Sequence, residues 1–154
     1  LPISISEMVE DAVKDFEPLF AASNISLKCE LSPSVRTSEI DPALFPHVLQ
    51  NLLDNALKYS AEGGEIVIRT GEVGETAILE IENAGNLFSS KELGRLFERH
   101  FRAKNATHVP GNGLGLHLVR RIVDRHGGEA SAELSNHGTV KFRVTLPVVD
   151  GNER

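Results

Sequence analysis

The stretch from Asp41 to Ser60 restricts the fold more than any other, because it joins a broad apolar helical face to side chains that such a face does not want. Asp41-Pro42 reads as a helix start, with a side-chain acceptor at the cap and proline at the first helical position. Behind it Leu44, Phe45, Val48, Leu49, Leu52, Leu53, Ala56 and Leu57 recur at helical spacing to about Ser60, a face wide enough to require a covering layer. Along its edge stand Asn51, Asn55 and Lys58, whose offsets of four and seven stack them on one side of the helix. Asparagine is a mediocre helix former, and two of them beside an apolar face cost stability without a partner. Paired amide oxygens with a lysine one turn on suit a hydrated Mg²⁺ and a phosphate tail, since magnesium takes hard oxygen ligands and keeps several waters. By spacing alone, a polar flank turned to solvent serves equally well.

The remaining segments supply the covering layer. Ser4-Ile5-Ser6-Glu7 has the pattern of a capping box, followed by an apolar stripe of Ile5, Met8, Val9, Ala12, Val13, Phe16 and Phe20. Pro18 predicts a kinked or irregular last turn, and Asn24 a left-handed stop. Ile25 to Leu31 alternates as a half-buried strand, with Cys29 as a small core residue. The runs Glu65–Thr70 and Thr76–Glu82, joined across Gly71–Gly74, read as a hairpin. A short capped segment, Ser89–Phe101, precedes an aperiodic polar stretch, Ala103–Asn112. A further helix runs from Gly113 to the stop at Gly127-Gly128. Glu129–Leu134, a turn at Asn136–Gly138, and Thr139–Leu146 make a second hairpin, with Val140, Phe142, Val144 and Leu146 inward. The expected fold is α+β: a two-layer α/β sandwich in which about three helices cover one face of a mixed, mostly antiparallel sheet. The domain is expected over residues 1–148, with 149–154 as a C-terminal tail.

At 154 residues the chain suits one compact domain. From its opening on Leu1-Pro2-Ile3, without an initiator methionine, it is expected to be a piece of something larger. The net charge of −6 argues against non-specific nucleic-acid or anionic-membrane binding, and a polyphosphate site here must build its own positive field. A single cysteine rules out an internal disulfide framework. Gly111-Asn112-Gly113-Leu114-Gly115-Leu116 lets backbone approach a ligand at a helix start. It lacks the preceding strand of a dinucleotide-binding fingerprint, and no Gly-Lys-Ser/Thr occurs anywhere.

Taken together and in order, these segments resemble the catalytic ATP-binding domain of sensor histidine kinases, within the GHKL superfamily that includes gyrase, Hsp90 and MutL (the Bergerat fold). Gln50-Asn51-Leu52-Leu53-Asp54-Asn55-Ala56-Leu57-Lys58-Tyr59-Ser60 is similar to the N box, Glu82-Asn83-Ala84-Gly85 to the G1 box, Arg95 to Arg102 to the F box, and Gly111 to Val119 to the G2 box. The resemblance implies that Asn51 and Asn55 hold Mg²⁺ and the phosphates of ATP, while Lys58 neutralises phosphate charge. It implies that Tyr59 packs on the adenine, Asn83 reads its edge, Gly85 lets the base approach, and Thr139 lies beside it at the pocket floor. Arg99 and Arg102 would meet the phosphate tail from the leading edge of a lid over Ala103–Asn112. Gly111, Gly113 and Gly115, with Leu114 and Leu116, would complete its hinge and nucleotide contacts. The usual G1 aspartate is Asn83 here and the second G1 glycine falls at Leu87, an Asn-x-Gly form found in sensors resembling the heavy-metal class. His100 and His117 also depart from the pattern, and packing explains both.

By the same resemblance the chain is an ATP-dependent protein-histidine kinase domain that does not autophosphorylate alone. Its partners would be a phosphoacceptor helical domain of the same kinase and a downstream response regulator. None of its six histidines has the context of a phosphoacceptor. The domain is expected to be cytoplasmic and monomeric, without nucleic acid or direct membrane contact, in a parent that is an inner-membrane sensor. A degenerate nucleotide-binding module, an anti-sigma-type serine kinase and a GHKL ATPase are the alternatives. The last is disfavoured because Asn51 stands where those hydrolases carry a glutamate, and an amide is no general base.

Overall fold

The computed structural model describes residues 1–84, 90–93, 95–98, 115–135 and 138–149. In chain order the elements are β1 (Pro2–Ile3), α1 (Ile5–Ala22), β2 (Ser26–Glu30), β3 (Ser38–Glu39), α2 (Phe45–Tyr59), β4 (Glu65–Val73), β5 (Thr76–Ala84), α3 (Ser90–Leu93), α4 (Gly115–Arg125), β6 (Glu129–Leu134) and β7 (Thr139–Pro147). Five strands form one mixed sheet in the order β2-β4-β5-β7-β6, in which only β2 and β4 are parallel. The expected α+β two-layer sandwich is therefore the observed one.

Burial follows the two periodicities. Ile5, Val9, Val13 and Phe20 from α1 join Phe45, Val48, Leu49, Leu52, Leu53 and Ala56 from α2 and Val119, Ile122 and Val123 from α4. They meet alternate residues of the sheet, Ile66 and Ile68, Ala77, Leu79 and Ile81, and Val140, Phe142, Val144 and Leu146. The opposite face of the sheet is polar and neutralises itself. Arg69 pairs with Glu82 and Glu30, Arg143 with Glu80, and Lys141 with Glu133.

Several local expectations are corrected by long-range contacts. Ser4 stands at the α1 cap position but makes no side-chain cap bond. Ser6 instead hydrogen-bonds the Ser32 carbonyl and the Thr70 hydroxyl, 2.7 Å from each, tying α1 to β4. The helix runs through Pro18 to Ala22, with that proline on its exposed side. Asn24 adopts the expected left-handed conformation, φ 57°. Asp41 does cap, its Oδ1 accepting from the amides of Ala43 and Leu44, but α2 proper begins at Phe45. Pro46 has no amide to continue the ladder from that first turn. The first hairpin is longer than its alternation implied, with Gly71 paired inside β4 and the turn at Gly74-Glu75. Cys29 is exposed, not core, because β2 is an edge strand with only β4 beside it. Partial desolvation, then the Glu17 charge, push its thiol above the usual range, which disfavours a reactive thiolate. Two-residue β1 and β3, paired antiparallel, were not legible in the sequence. Beyond β7, Val148 donates to the Glu75 carbonyl and Val149 to that of Thr37.

Glu82 accepts from Thr139 Oγ1 at 2.6 Å and from Arg69 Nη1 at 2.9 Å, and these bonds hold its carboxyl below the ordinary glutamate range. A carboxyl whose folded value is depressed stabilises fully above its unfolded value, about 4.3, and loses that contribution as pH falls through the folded one. Asp41, held down by the Ala43 and Leu44 amides, and Glu72, held down by Arg36, act in the same direction. The urea midpoint is therefore expected to drop on acidification below about pH 4.3, and Glu82→Gln to flatten part of that drop. An unchanged acid slope in the variant would remove Glu82 from the account.

Candidate nucleotide site

On α2, Asn51, Asp54, Asn55 and Lys58 share one side of the helix, the flank of its buried face. Asn51 and Asn55 are half-buried and Lys58 is exposed. The Asn51 amide is oriented from below: its Nδ2 donates to the His47 carbonyl at 2.7 Å. Its Oδ1 is turned to the first residue of α4, where a Cβ added at Gly115 would lie 3.0 Å from that oxygen. Glycine at 115 is thus what lets α4 begin against the Asn51 oxygen. The Asn55 side chain has no hydrogen bond to a described residue, and Lys58 pairs with Asp54 at 3.0 Å.

The sheet contributes Asn83, near the end of β5. It lies opposite Ile66 of β4 and Val140 of β7, both buried, so it belongs to the helix-covered face. Asn83 is 2% exposed; among the described residues its Nδ2 reaches only the Ala84 carbonyl, at 3.4 Å, and its Oδ1 has no hydrogen-bond partner. A buried acceptor left unsatisfied costs roughly 1–3 kcal/mol. Tyr59 and Leu116 are partly buried against the core.

Thr139 does not join this group. It pairs with Ala84, one residue out of phase with Asn83, and its hydroxyl donates to Glu82 and bonds Ser135 on the opposite face of the sheet. The pleat places successive residues on opposite faces, so Val140 is the β7 residue beside Asn83. His117 faces the Phe97 carbonyl through Nδ1 at 3.3 Å. His126 Nδ1 faces the Ile122 carbonyl at 2.8 Å, and its Nε2 accepts from the Asp41 amide at 3.0 Å. It tethers the end of α4 to the start of α2. Gly85, Leu87, Arg99, His100, Arg102, the lid stretch Ala103–Asn112, Gly111, Gly113 and Leu114 lie outside the described residues. The residue missed from the sequence is Asp54, although its spacing of three from Asn51 and four to Lys58 was there to be read.

A sheet covered on one face by helices, one of which lines its polar flank with amides beside the start of another, is the architecture of the GHKL ATP-binding sandwich. Residues 40–150 match the family described as Histidine kinase-, DNA gyrase B-, and HSP90-like ATPase, and the chain belongs to that family. It is 36% identical over 146 residues to the sensor protein KdpD of Escherichia coli (strain K12), covering 94% of this chain and 16% of that protein. It is 34% identical over 145 residues to the sensor histidine kinase HprS of the same organism, covering 94% and 31%. Among solved structures, a mycobacterial sensor histidine kinase, MprB, superposes with a TM-score of 0.86 at 25% identity, covering 96% of this chain and 97% of that one. The chain thus spans less than a third of the length of these two curated relatives. Among the described residues no helix is long and apolar enough to cross a membrane.

Proposed function

We propose that the domain binds Mg-ATP and presents its γ-phosphate to a histidine on a separate helical phosphoacceptor domain, the first step of a relay to a response regulator. The buried, unsatisfied Asn83 carries this reading. An amide on the helix-covered face, its oxygen without a partner among the described residues, is matched by the exocyclic amine and ring nitrogen of an adenine edge, since asparagine offers both acceptor and donor. The hard amide oxygens of Asn51 and Asn55 fit magnesium, and Lys58 fits a phosphate. Bound there, the metal would neutralise phosphate charge. The residues of this chain would orient the tail, with Asn51 held by the His47 carbonyl and backed by α4 at Gly115. Transfer rather than hydrolysis is favoured because no carboxylate replaces Asn51 to activate water; positioning and electrostatics then carry the rate. Arg99 and Arg102 would reach the phosphates from the lid, and Gly85, Gly111, Gly113 and Leu114 would contact the nucleotide. Cytoplasmic placement within a membrane-anchored parent belongs to the same proposal.

Calorimetric titration with a non-hydrolysable ATP analogue tests it. The wild-type domain should bind in a magnesium-dependent manner, and Asn55→Ala should lose at least tenfold in affinity, about 1.4 kcal/mol, with its melting temperature nearly unchanged. Absence of binding by the wild type at millimolar nucleotide would end the kinase reading.

A further inference from the structure

Three of the four side chains on the polar arc of α2 are absorbed by the nucleotide reading; Asp54 is not. Its Oδ2 lies 3.0 Å from Lys58 Nζ, with the two side chains 44% and 36% exposed. It is one turn from Asn51 and adjacent in sequence to Asn55. As a helix-surface pair, with the acid N-terminal to the base, it stabilises α2 only weakly. Its position has a larger consequence. Without a metal, the one cation of this arc is already neutralised by a carboxylate that also repels incoming phosphates. With a divalent cation on the asparagine oxygens, Asp54 would turn its hard oxygens toward the metal's hydration shell, and Lys58 would be left free for phosphate.

Resting on the nucleotide reading above, we propose that Asp54 is a positioning residue that makes polyphosphate binding depend on a divalent metal, by holding Lys58 when the metal is absent and releasing it when the metal is present. Asp54 acts through Lys58 and the metal's hydration shell and touches neither the base nor the transferred group.

The test is a titration of wild type and Asp54→Asn with a non-hydrolysable ATP analogue, once with Mg²⁺ and once with excess chelator, alongside thermal melts. The amide cannot hold the ammonium as an ion pair and does not repel phosphate. Metal-free affinity should therefore rise roughly three- to tenfold, and the advantage conferred by Mg²⁺ should shrink by at least that factor. Adding Lys58→Met should erase the gain, because the gain runs through the freed lysine. A ratio of metal-free to metal-bound affinity unchanged within about twofold would overturn the proposal, as would a parallel loss in both conditions, which marks a purely structural pair. Wild-type protein that binds no nucleotide even with Mg²⁺ would instead remove the nucleotide reading itself, and this proposal with it.

Discussion

Gly128→Ala is expected to be the most destabilising glycine-to-alanine change among the described residues. Gly127 ends α4 with φ 74°, and Gly127 and Gly128 donate to the Asp124 and Val123 carbonyls, which closes the helix and turns the chain directly into β6. At that turn the backbone passes so close to β7 that a Cβ on Gly128 would overlap the Thr145 carbonyl oxygen, lying 3.0 Å from the carbonyl carbon and 3.1 Å from Leu146 Cδ2. The obstacle is backbone inside a sheet, not the end of a flexible side chain, so relief requires moving α4 away from the strands it covers. Overpacking of this kind costs about 3 kcal/mol, which lowers the melting temperature of a domain this size by roughly 6–12 °C. Gly71→Ala is the control, since a Cβ there meets nothing within 4 Å; its effect should stay within about 0.5 kcal/mol. Paired thermal melts decide the matter, and a Gly128 variant that melts within a degree or two of wild type would show that the turn yields more easily than its contacts imply.

The second large effect is expected at Asn83, where stability and binding should move in opposite directions. Replacing a buried polar group that has lost its partners with an apolar side chain of similar size removes a desolvation cost of roughly 1–3 kcal/mol. Asn83→Leu should therefore leave the free domain as stable as wild type or more so, because the site lies between buried Ile66 and Val140. The same variant should lose at least tenfold in nucleotide affinity, about 1.4 kcal/mol, because an apolar side chain cannot read the adenine edge. A folded variant that retains wild-type affinity would show that Asn83 does not meet the base. One that unfolds would show that the amide supports the strand instead. This opposition separates a residue kept for a ligand from one kept for the fold.

Much of the architecture follows from spacing within a few residues. The apolar stripes of α1 and α2, the alternation of β5 and β7, the left-handed Asn24 and the Gly127-Gly128 stop were each legible because helix and strand periods are local properties of the chain. The Asn51, Asn55 and Lys58 stripe was legible for the same reason. What a strand lies beside, and which face a residue takes once paired, depends on partners far along the chain. Cys29 alternates with core residues yet is exposed, since the sheet places β2 at its edge. Thr139 is one residue from the site in sequence and on the wrong side of the sheet, because the register pairs it with Ala84. Ser6 bonds Thr70 across 64 residues, and His126 reaches Asp41 across 85, neither of which any local pattern encodes.

The amino-acid order by itself thus determined the elements, their apolar faces and the polar stripe on α2, because those depend on backbone geometry repeated over a turn or two. Only the tertiary structure decided that the Asn83 oxygen is buried without a partner among the described residues, that Gly115 backs Asn51, and that Asp54 occupies Lys58. Satisfaction of a polar group depends on every atom around it, and those atoms are assembled by the packing of helices onto a sheet.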